Sequence, residues 1–236
     1  MPKPQRYTAI LEEKQIYNEK YVHFHFELKE PHRIEFQAGQ FVSLTVDEEN
    51  TQRAYSILSD PDIMHGIEIL LDVSPNGKGV NYFLNLDFGD EISFLGPMGR
   101  FVIKEDAGEQ ALALVGTGSG IAPLYGMLVD QLKNKNDERS ITLYWGQRYE
   151  KEMIWEDDLS RLSENYPNFE FHPVLSRPGG KWPLCSGHVT DCLQVHDLLP
   201  NTGFYMCGSR NMINDAKSVL AKRGVEKKMI HNEKFY

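Results

Sequence analysis

Ala111-Leu112-Ala113-Leu114-Val115-Gly116-Thr117-Gly118-Ser119-Gly120-Ile121-Ala122-Pro123 joins a short apolar run to a glycine-rich turn and then to a proline. The run 111–115 has the length and composition of a strand buried on both faces, and the pattern from Pro123 to Lys133 is helical. A glycine turn between a buried strand and a helix has a chemical use. Glycines let the backbone approach a pyrophosphate, and the N–H groups at a helix N-terminus stabilise the anion. Pro123 suits the first helical turn, where its missing N–H does no harm. The glycine spacing differs from the usual Rossmann fingerprint because the helix begins sooner, and a plain tight turn is the alternative for the glycines taken alone.

Moving towards the C-terminus, strand patterns at 140–145, 170–175 and 204–207 alternate with helical patterns at 157–166, 189–195 and 211–223. Such alternation predicts a parallel sheet with crossover helices. Ligands in these sheets sit at the carboxyl ends of the strands, so Cys207-Gly208-Ser209 is expected at the same crevice as Gly116. No paired histidine stands near Cys207 in the sequence, which favours a small buried residue over a thiolate nucleophile.

Towards the N-terminus the rhythm is different. Segments 21–28, 40–46, 67–73 and 91–95 read as short strands, with turn residues at Ala38-Gly39, Ser59-Asp60-Pro61, Pro75-Asn76-Gly77 and Gly96-Pro97-Met98-Gly99. They predict a small antiparallel barrel, with a short helix over 81–86. The polar link Lys104–Glu109 marks the boundary between domains at 1–104 and 109–236. The fold class is therefore two-domain, β followed by α/β: an N-terminal antiparallel six-stranded barrel and a C-terminal parallel-sheet domain. Within the barrel, Arg53-Ala54-Tyr55-Ser56 combines a cation for phosphate, a flat aromatic face for an isoalloxazine ring and a hydroxyl. Alone, that tetrapeptide also fits an ordinary strand surface.

Composition narrows the function. Across 236 residues, 41% are hydrophobic and 25% charged, ordinary values for a globular protein. No apolar run is long enough to predict a transmembrane helix, and the opening Met1-Pro2-Lys3-Pro4-Gln5-Arg6 lacks the apolar core of a secretory signal. Cys185, Cys192 and Cys207 show no close ligand spacing, which argues against a disulfide framework, a zinc site or an iron–sulfur cluster. A reducing cytoplasm is the expected location. A net charge of −9 disfavours nucleic-acid binding.

Taken in order, Arg53–Ser56, Gly96-Pro-Met-Gly-Arg-Phe101, Gly116–Pro123, Tyr144-Trp-Gly-Gln-Arg148, Ser176-Arg177, Cys207-Gly208 with Met212, and Glu233-Lys234-Phe235 span nearly the whole chain. In that order the sequence resembles the ferredoxin–NADP⁺ reductase superfamily, in particular its compact bacterial members without a fused ferredoxin domain. The resemblance implies that Arg53 binds a flavin phosphate, and that Ala54, Tyr55 and Ser56 lie against the isoalloxazine, Ser56 near N5. It implies that Gly116, Thr117, Gly118, Ser119, Gly120 and Pro123 hold the NAD(P)H pyrophosphate. Cys207, with Gly208 and Met212, would border the nicotinamide, and Glu233 would lie close to the reacting centre. Ser56, Cys207 and Glu233 are thus the expected catalytic residues.

One turn departs from the family pattern. Gly77-Lys78-Gly79-Val80-Asn81 has valine where members often carry a hydroxyl, so backbone N–H groups of Gly79, Val80 and Asn81, helped by Lys78, would grip the flavin pyrophosphate. FAD is expected, with FMN as the alternative. The chain ends Phe235-Tyr236, and in some members a terminal aromatic stacks over the flavin, so Tyr236 is the candidate gate. Ser176 and Arg177, with Arg148 or Lys181, form a hydroxyl-and-cation set for a 2′-phosphate, which favours NADPH over NADH.

The leading expectation is a ferredoxin/flavodoxin–NAD(P)⁺ reductase-like enzyme that passes hydride from NAD(P)H to bound FAD and single electrons to a ferredoxin or flavodoxin. A flavin reductase acting on free flavin, the reductase component of an oxygenase and a non-catalytic electron-transfer subunit remain open.

Overall fold

Phe24, Phe26 and Phe83 show how the N-terminal half holds together: Phe83 meets Phe24 edge-on with ring centroids 5.0 Å apart, and Phe26 at 6.1 Å. The computed structural model describes residues 3–104 and 107–235. Six strands build the first sheet: β1 (Gln5–Ile16), β2 (Tyr21–Glu30), β3 (Phe41–Thr45), β4 (Gln52–Ser56), β5 (Gly66–Asp72) and β6 (Glu91–Met98). Their order is β4-β3-β6-β1-β2-β5, every pairing is antiparallel, and the sheet curls into a nearly closed barrel. Alternate residues Phe24, Phe26 and Leu28 point inward, as the period-two pattern predicted. Helix α1 (Lys78–Leu84) follows β5 and buries Phe83 completely in the barrel core. That burial contributes roughly 2–3 kcal/mol.

Strand β1 is not among the segments predicted from the sequence, although Tyr7, Ala9 and Leu11 face the core. Register shifts at Thr8/Ala9 and Leu11/Glu13 break the alternation, and the polar run after Leu11 hides the rest. Helix α1 starts at Lys78 rather than at residue 81. Gly77 and Gly79 conceal its start, because glycine disfavours helices.

The second sheet is wholly parallel. It comprises β7 (Ala111–Thr117), β8 (Ser140–Gln147), β9 (Phe169–Leu175), β10 (Cys185–Ser186), β11 (Thr202–Ser209) and β12 (Ile230–Phe235). Their order is β10-β9-β8-β7-β11-β12. The chain winds outward from β7 in one direction and then returns to β11 on its other side. The gap between β7 and β11 is a topological switch point, where open α/β sheets bind ligands. Helices α2 (Ile121–Val129), α3 (Glu156–Asn165), α4 (Val189–Val195) and α5 (Arg210–Lys222) accompany the strands, and a π-helical turn over Asp130–Asn134 extends α2. β7 is buried along nearly its full length, as its apolar run predicted. Strands β10 and β12 are additions, since one is very short and the other, Ile230-His-Asn-Glu-Lys-Phe235, is too polar to be read as a strand.

By contact, one unit takes in the chain up to Val102 with Tyr125–Asp130, and the other Ile103–Leu124 with the chain from Gln131 onward. At the amino ends of the parallel strands, the buried Glu109 carboxylate accepts hydrogen bonds from the Tyr205 hydroxyl at 3.0 and 3.2 Å and lies 2.8 Å from His231 Nε2. This cluster is at the opposite end from the crevice and ties β11 and β12 to the segment entering β7. Among the described residues, no helix is long and apolar enough to cross a membrane.

Candidate functional site

On the barrel, β4 carries Arg53, Tyr55 and Ser56, with Ala54 exposed between them. Strand alternation puts Arg53 and Tyr55 on one face, and α1 packs its first turn there. A Cβ on Gly79 would lie 2.2 Å from Tyr55 Oη and 3.3 Å from Arg53 Cγ, so a side chain here would force Tyr55 to shift. The structure thus brings Arg53, Tyr55 and Gly79 together. Tyr55 is braced edge-on by Phe83 at 4.7 Å.

The other predicted residues of this turn have different surroundings. Val80 is buried in the barrel core, while Asn81 is exposed and its N–H donates to the Gly77 carbonyl at 3.0 Å. Asn81's backbone donor is therefore engaged within the helix. Lys78 is held by Asp47 at 2.7 Å and Glu49 at 2.6 Å, and its hydrogen bond keeps the Asp47 carboxyl well below the usual range. Ser56 differs again: its Oγ is buried with no hydrogen-bond partner among the described residues. An orphaned hydroxyl costs about 1–3 kcal/mol unless something satisfies it. An unmatched buried hydroxyl suits a ligand atom, and the neighbouring Arg53 and Tyr55 offer a cation and a flat aromatic ring.

In the parallel-sheet unit, one row crosses three strands. Cys207 on β11 is paired with Gly116 on β7 and with Glu233 on β12. The turn after β7 folds down over this row. A 3₁₀ turn over Gly118–Gly120 leads into α2, and Pro123 lies in the first turn of that helix. A Cβ on Gly120 would lie 2.3 Å from the Cys207 carbonyl oxygen and 2.9 Å from the Gly208 nitrogen. Gly208, at φ +146°, would bring a Cβ within 2.3 Å of Thr117 Oγ1 and 3.0 Å of Met212 Cε. Gly116–Gly120, Cys207–Gly208 and Met212 therefore form one assembly at the switch point, with Thr117, Gly118 and Ser119 partly open to solvent. Met212 stands in the first turn of α5, where its N–H donates to Ser209 Oγ at 3.2 Å.

Trp145, singled out in the sequence only as part of the motif Tyr144–Arg148, holds the turn: its Nε1 donates to the Gly118 carbonyl at 3.0 Å. A tryptophan in a buried strand gave no signal of that role.

Electrostatics separate the two polar members of the row. Burial, and then the neighbouring Glu233 carboxyl, push the Cys207 thiol well up, so it is a neutral packing group. Burial alone pushes the Glu233 carboxyl up to about 7, and its Oε2 has no hydrogen-bond partner among the described residues. Ser176 and Arg177 are drawn to the end of β8: their N–H groups donate to the carbonyls of Gln147 at 3.0 Å and Arg148 at 2.8 Å. Arg148 and Arg177 are both exposed. Tyr236 lies outside the described residues.

Comparison with known proteins agrees with both halves. Residues 8–103 match the model of the oxidoreductase FAD-binding domain, and residues 114–218 match that of the oxidoreductase NAD-binding domain. The chain belongs to the ferredoxin–NADP⁺ reductase superfamily. Both matched models are domains of oxidoreductases, one for FAD and the other for NAD. It is 31% identical over 207 residues to a subunit of the Na⁺-translocating NADH-quinone reductase of Neisseria meningitidis, covering 81% of this chain and 50% of that one. It is 27% identical over 205 residues to the anthranilate 1,2-dioxygenase electron transfer component of Acinetobacter baylyi, covering 86% of this chain and 59% of the relative. The chain thus spans only about half the length of the curated relatives it matches. Among solved structures, the Amycolatopsis cytochrome P450 reductase superposes with a TM-score of 0.89 at 27% identity, over 98% of this chain and 70% of that one. A Neisseria gonorrhoeae ferredoxin NADP⁺ reductase gives 0.81 over the whole of both chains and, at 23% identity, speaks for the fold.

Proposed function

We propose that this superfamily member takes hydride from NAD(P)H onto bound FAD and releases electrons singly to a small redox protein of the ferredoxin or flavodoxin class. The row Gly116–Cys207–Glu233 beneath the glycine turn is the observation that carries this reading. It puts a pyrophosphate-type turn, a small neutral side chain and a protonatable carboxyl at one switch point. Bound FAD supplies two-electron acceptance and one-electron return, which is the chemistry that couples a hydride donor to such a partner.

The chain's own residues do the positioning. Arg53 and the first turn of α1 would hold the flavin phosphates, Tyr55 would support the ring, and the unpartnered Ser56 hydroxyl would hydrogen-bond a flavin atom. Gly116–Gly120 bring backbone N–H groups to the nucleotide pyrophosphate. Cys207, kept neutral, sets the depth to which the nicotinamide enters, and Glu233 offers a carboxyl poised near neutral pH. Arg148, Ser176 and Arg177 support NADPH, since two guanidinium groups and a hydroxyl suit a 2′-phosphate. Three free thiols fit a reducing compartment, and the cytoplasm is the location we propose.

The Acinetobacter electron transfer component and the Amycolatopsis reductase favour a second reading, in which the acceptor is the oxygenase partner of a reductase component. The Neisseria relative's name points to NADH as the donor in that case.

Absorbance of the purified protein, recorded anaerobically before and after adding each nucleotide, tests the proposal. A bound-flavin spectrum bleached faster by NADPH is the expected result. Faster bleaching by NADH moves the donor assignment to the second reading. A colourless protein that reduces added flavin, or a bound flavin that neither nucleotide bleaches, overturns the proposal.

A further inference from the structure

Three side chains that the nucleotide site does not use converge at the edge of the parallel sheet. His172 lies on β9, Cys185 on the edge strand β10, and His196 at the carboxyl end of α4. One ligand-type atom from each, an imidazole nitrogen or the thiol sulfur, lies within 4.8 Å of the other two. Cys185 Sγ is 3.5 Å from His196 Nε2. A sulfur at about 2.3 Å and a nitrogen at about 2.0 Å from a tetrahedral zinc ion are themselves about 3.5 Å apart. The two imidazoles meet edge to face with centroids 4.4 Å apart.

The surroundings fix these groups in place. The Tyr144 ring stacks on His172 at 4.9 Å, and the Glu170 carboxylate lies 3.4 Å from His172 Nε2. Carboxylate–histidine pairs of this kind orient metal-bound imidazoles. Trp182 Nε1 donates to the Cys185 carbonyl at 3.0 Å, and the Arg223 guanidinium donates to the carbonyls of Leu193 and His196, each at 2.6 Å. All three candidate ligands are partly exposed, so an ion can enter and a water molecule can complete its coordination. Cys192 is buried in the apolar cluster against which Cys185 packs.

Two imidazoles and a sulfur suit zinc and other late transition metals rather than calcium or magnesium, which take oxygen ligands. We propose that His172, Cys185 and His196 bind a divalent transition-metal ion of the zinc type, which cross-links β9, β10 and the end of α4. Such a link has a mechanical consequence. β10 consists of Cys185 and Ser186 alone, and the loop 176–184 that separates it from β9 has no strand or helix of its own. The ion closes that loop at its base.

The test uses the full chain, reduced, stripped with a chelator and titrated with Co²⁺ and then Zn²⁺. Stoichiometric Co²⁺ is expected to give tetrahedral d–d bands to the red of the flavin absorption and a near-ultraviolet sulfur-to-cobalt band, both erased by Zn²⁺. Cys185→Ser removes the sulfur band. Cys185→Ser and His196→Gln each weaken Zn²⁺ binding by at least about 10-fold, because losing a ligand costs no less than losing an outer partner. Their flavin absorbance and metal-free melting temperature stay near wild type. Weak octahedral cobalt bands, or Zn²⁺ affinity unchanged in both variants, overturns the proposal. A sulfur band lost in Cys192→Ala but kept in Cys185→Ser overturns the assignment of Cys185. Where Cys185→Ser does not fold, the same titration on His172→Gln and His196→Gln decides.

Discussion

Ser56 Oγ and Glu233 Oε2 share a property that few atoms in a folded protein have: each is buried without a hydrogen-bond partner among the described residues. One lies beside the Arg53–Tyr55 surface and the other in the row through Cys207. Function accounts for both if ligand atoms complete them. Ser56→Ala is then expected to leave the melting temperature of the flavin-free protein unchanged or slightly raised, because it removes an unsatisfied group. The same substitution should slow flavin reduction by NAD(P)H about fivefold, the loss of one hydrogen bond of about 1 kcal/mol. Stopped-flow absorbance and thermal melts read the two effects separately. Destabilisation with an unchanged reduction rate would assign Ser56 to packing.

At the level of elements, the contact between β4 and the first turn of α1 sets the flavin face. Gly79 leaves Tyr55 in place there, because Tyr55 Oη occupies the space a side chain would need. Gly79→Ala is therefore expected to weaken FAD retention and to destabilise the barrel by about 1–3 kcal/mol, as overpacking does. The clash is with a hydroxyl, so Tyr55→Phe in the same chain should recover part of both losses. Equal losses in the single and double variants would place the strain elsewhere in the turn. The same logic explains which parts of these elements were legible. The period-two strands and the run 111–115 announced themselves through hydrophobic pattern. The start of α1 did not, since the glycines that let it approach β4 are the residues that weaken a helix signal.

Across the whole molecule, the two units respond to pH in opposite directions. In the parallel-sheet unit, burial raises the Glu233 carboxyl from 4.5 to about 7. The folded state keeps a proton that the unfolded chain releases, so this contribution is present below 4.5 and lost as pH rises through about 7. In the barrel, burial alone would raise Glu68, but hydrogen bonds with His23 and then His25 bring it down to about 2. The Glu68 contribution is present above 4.5 and lost as pH falls through about 2. Melting curves across pH should show Glu233→Gln gaining a few degrees over wild type above neutrality and nothing near pH 4. Glu68→Gln should lose a few degrees at neutral pH, with the gap closing in strong acid. Parallel pH curves for either variant and wild type would remove that group from the account.

Apolar period and glycine placement were enough to determine a barrel followed by a parallel sheet, and the order of short motifs was enough to point to the superfamily. Those signals are local: a strand, a turn and a helix start are each written in neighbouring residues. Tertiary structure alone decided that Gly116, Cys207 and Glu233 form one row, that Trp145 holds the turn, and that Ser56 and Glu233 keep polar atoms with no partner among the described residues. It alone brought His172, Cys185 and His196 together from two strands and a helix end. Contacts of this kind depend on strand order and register, and sheet pairing couples residues far apart in the chain with no trace in their spacing.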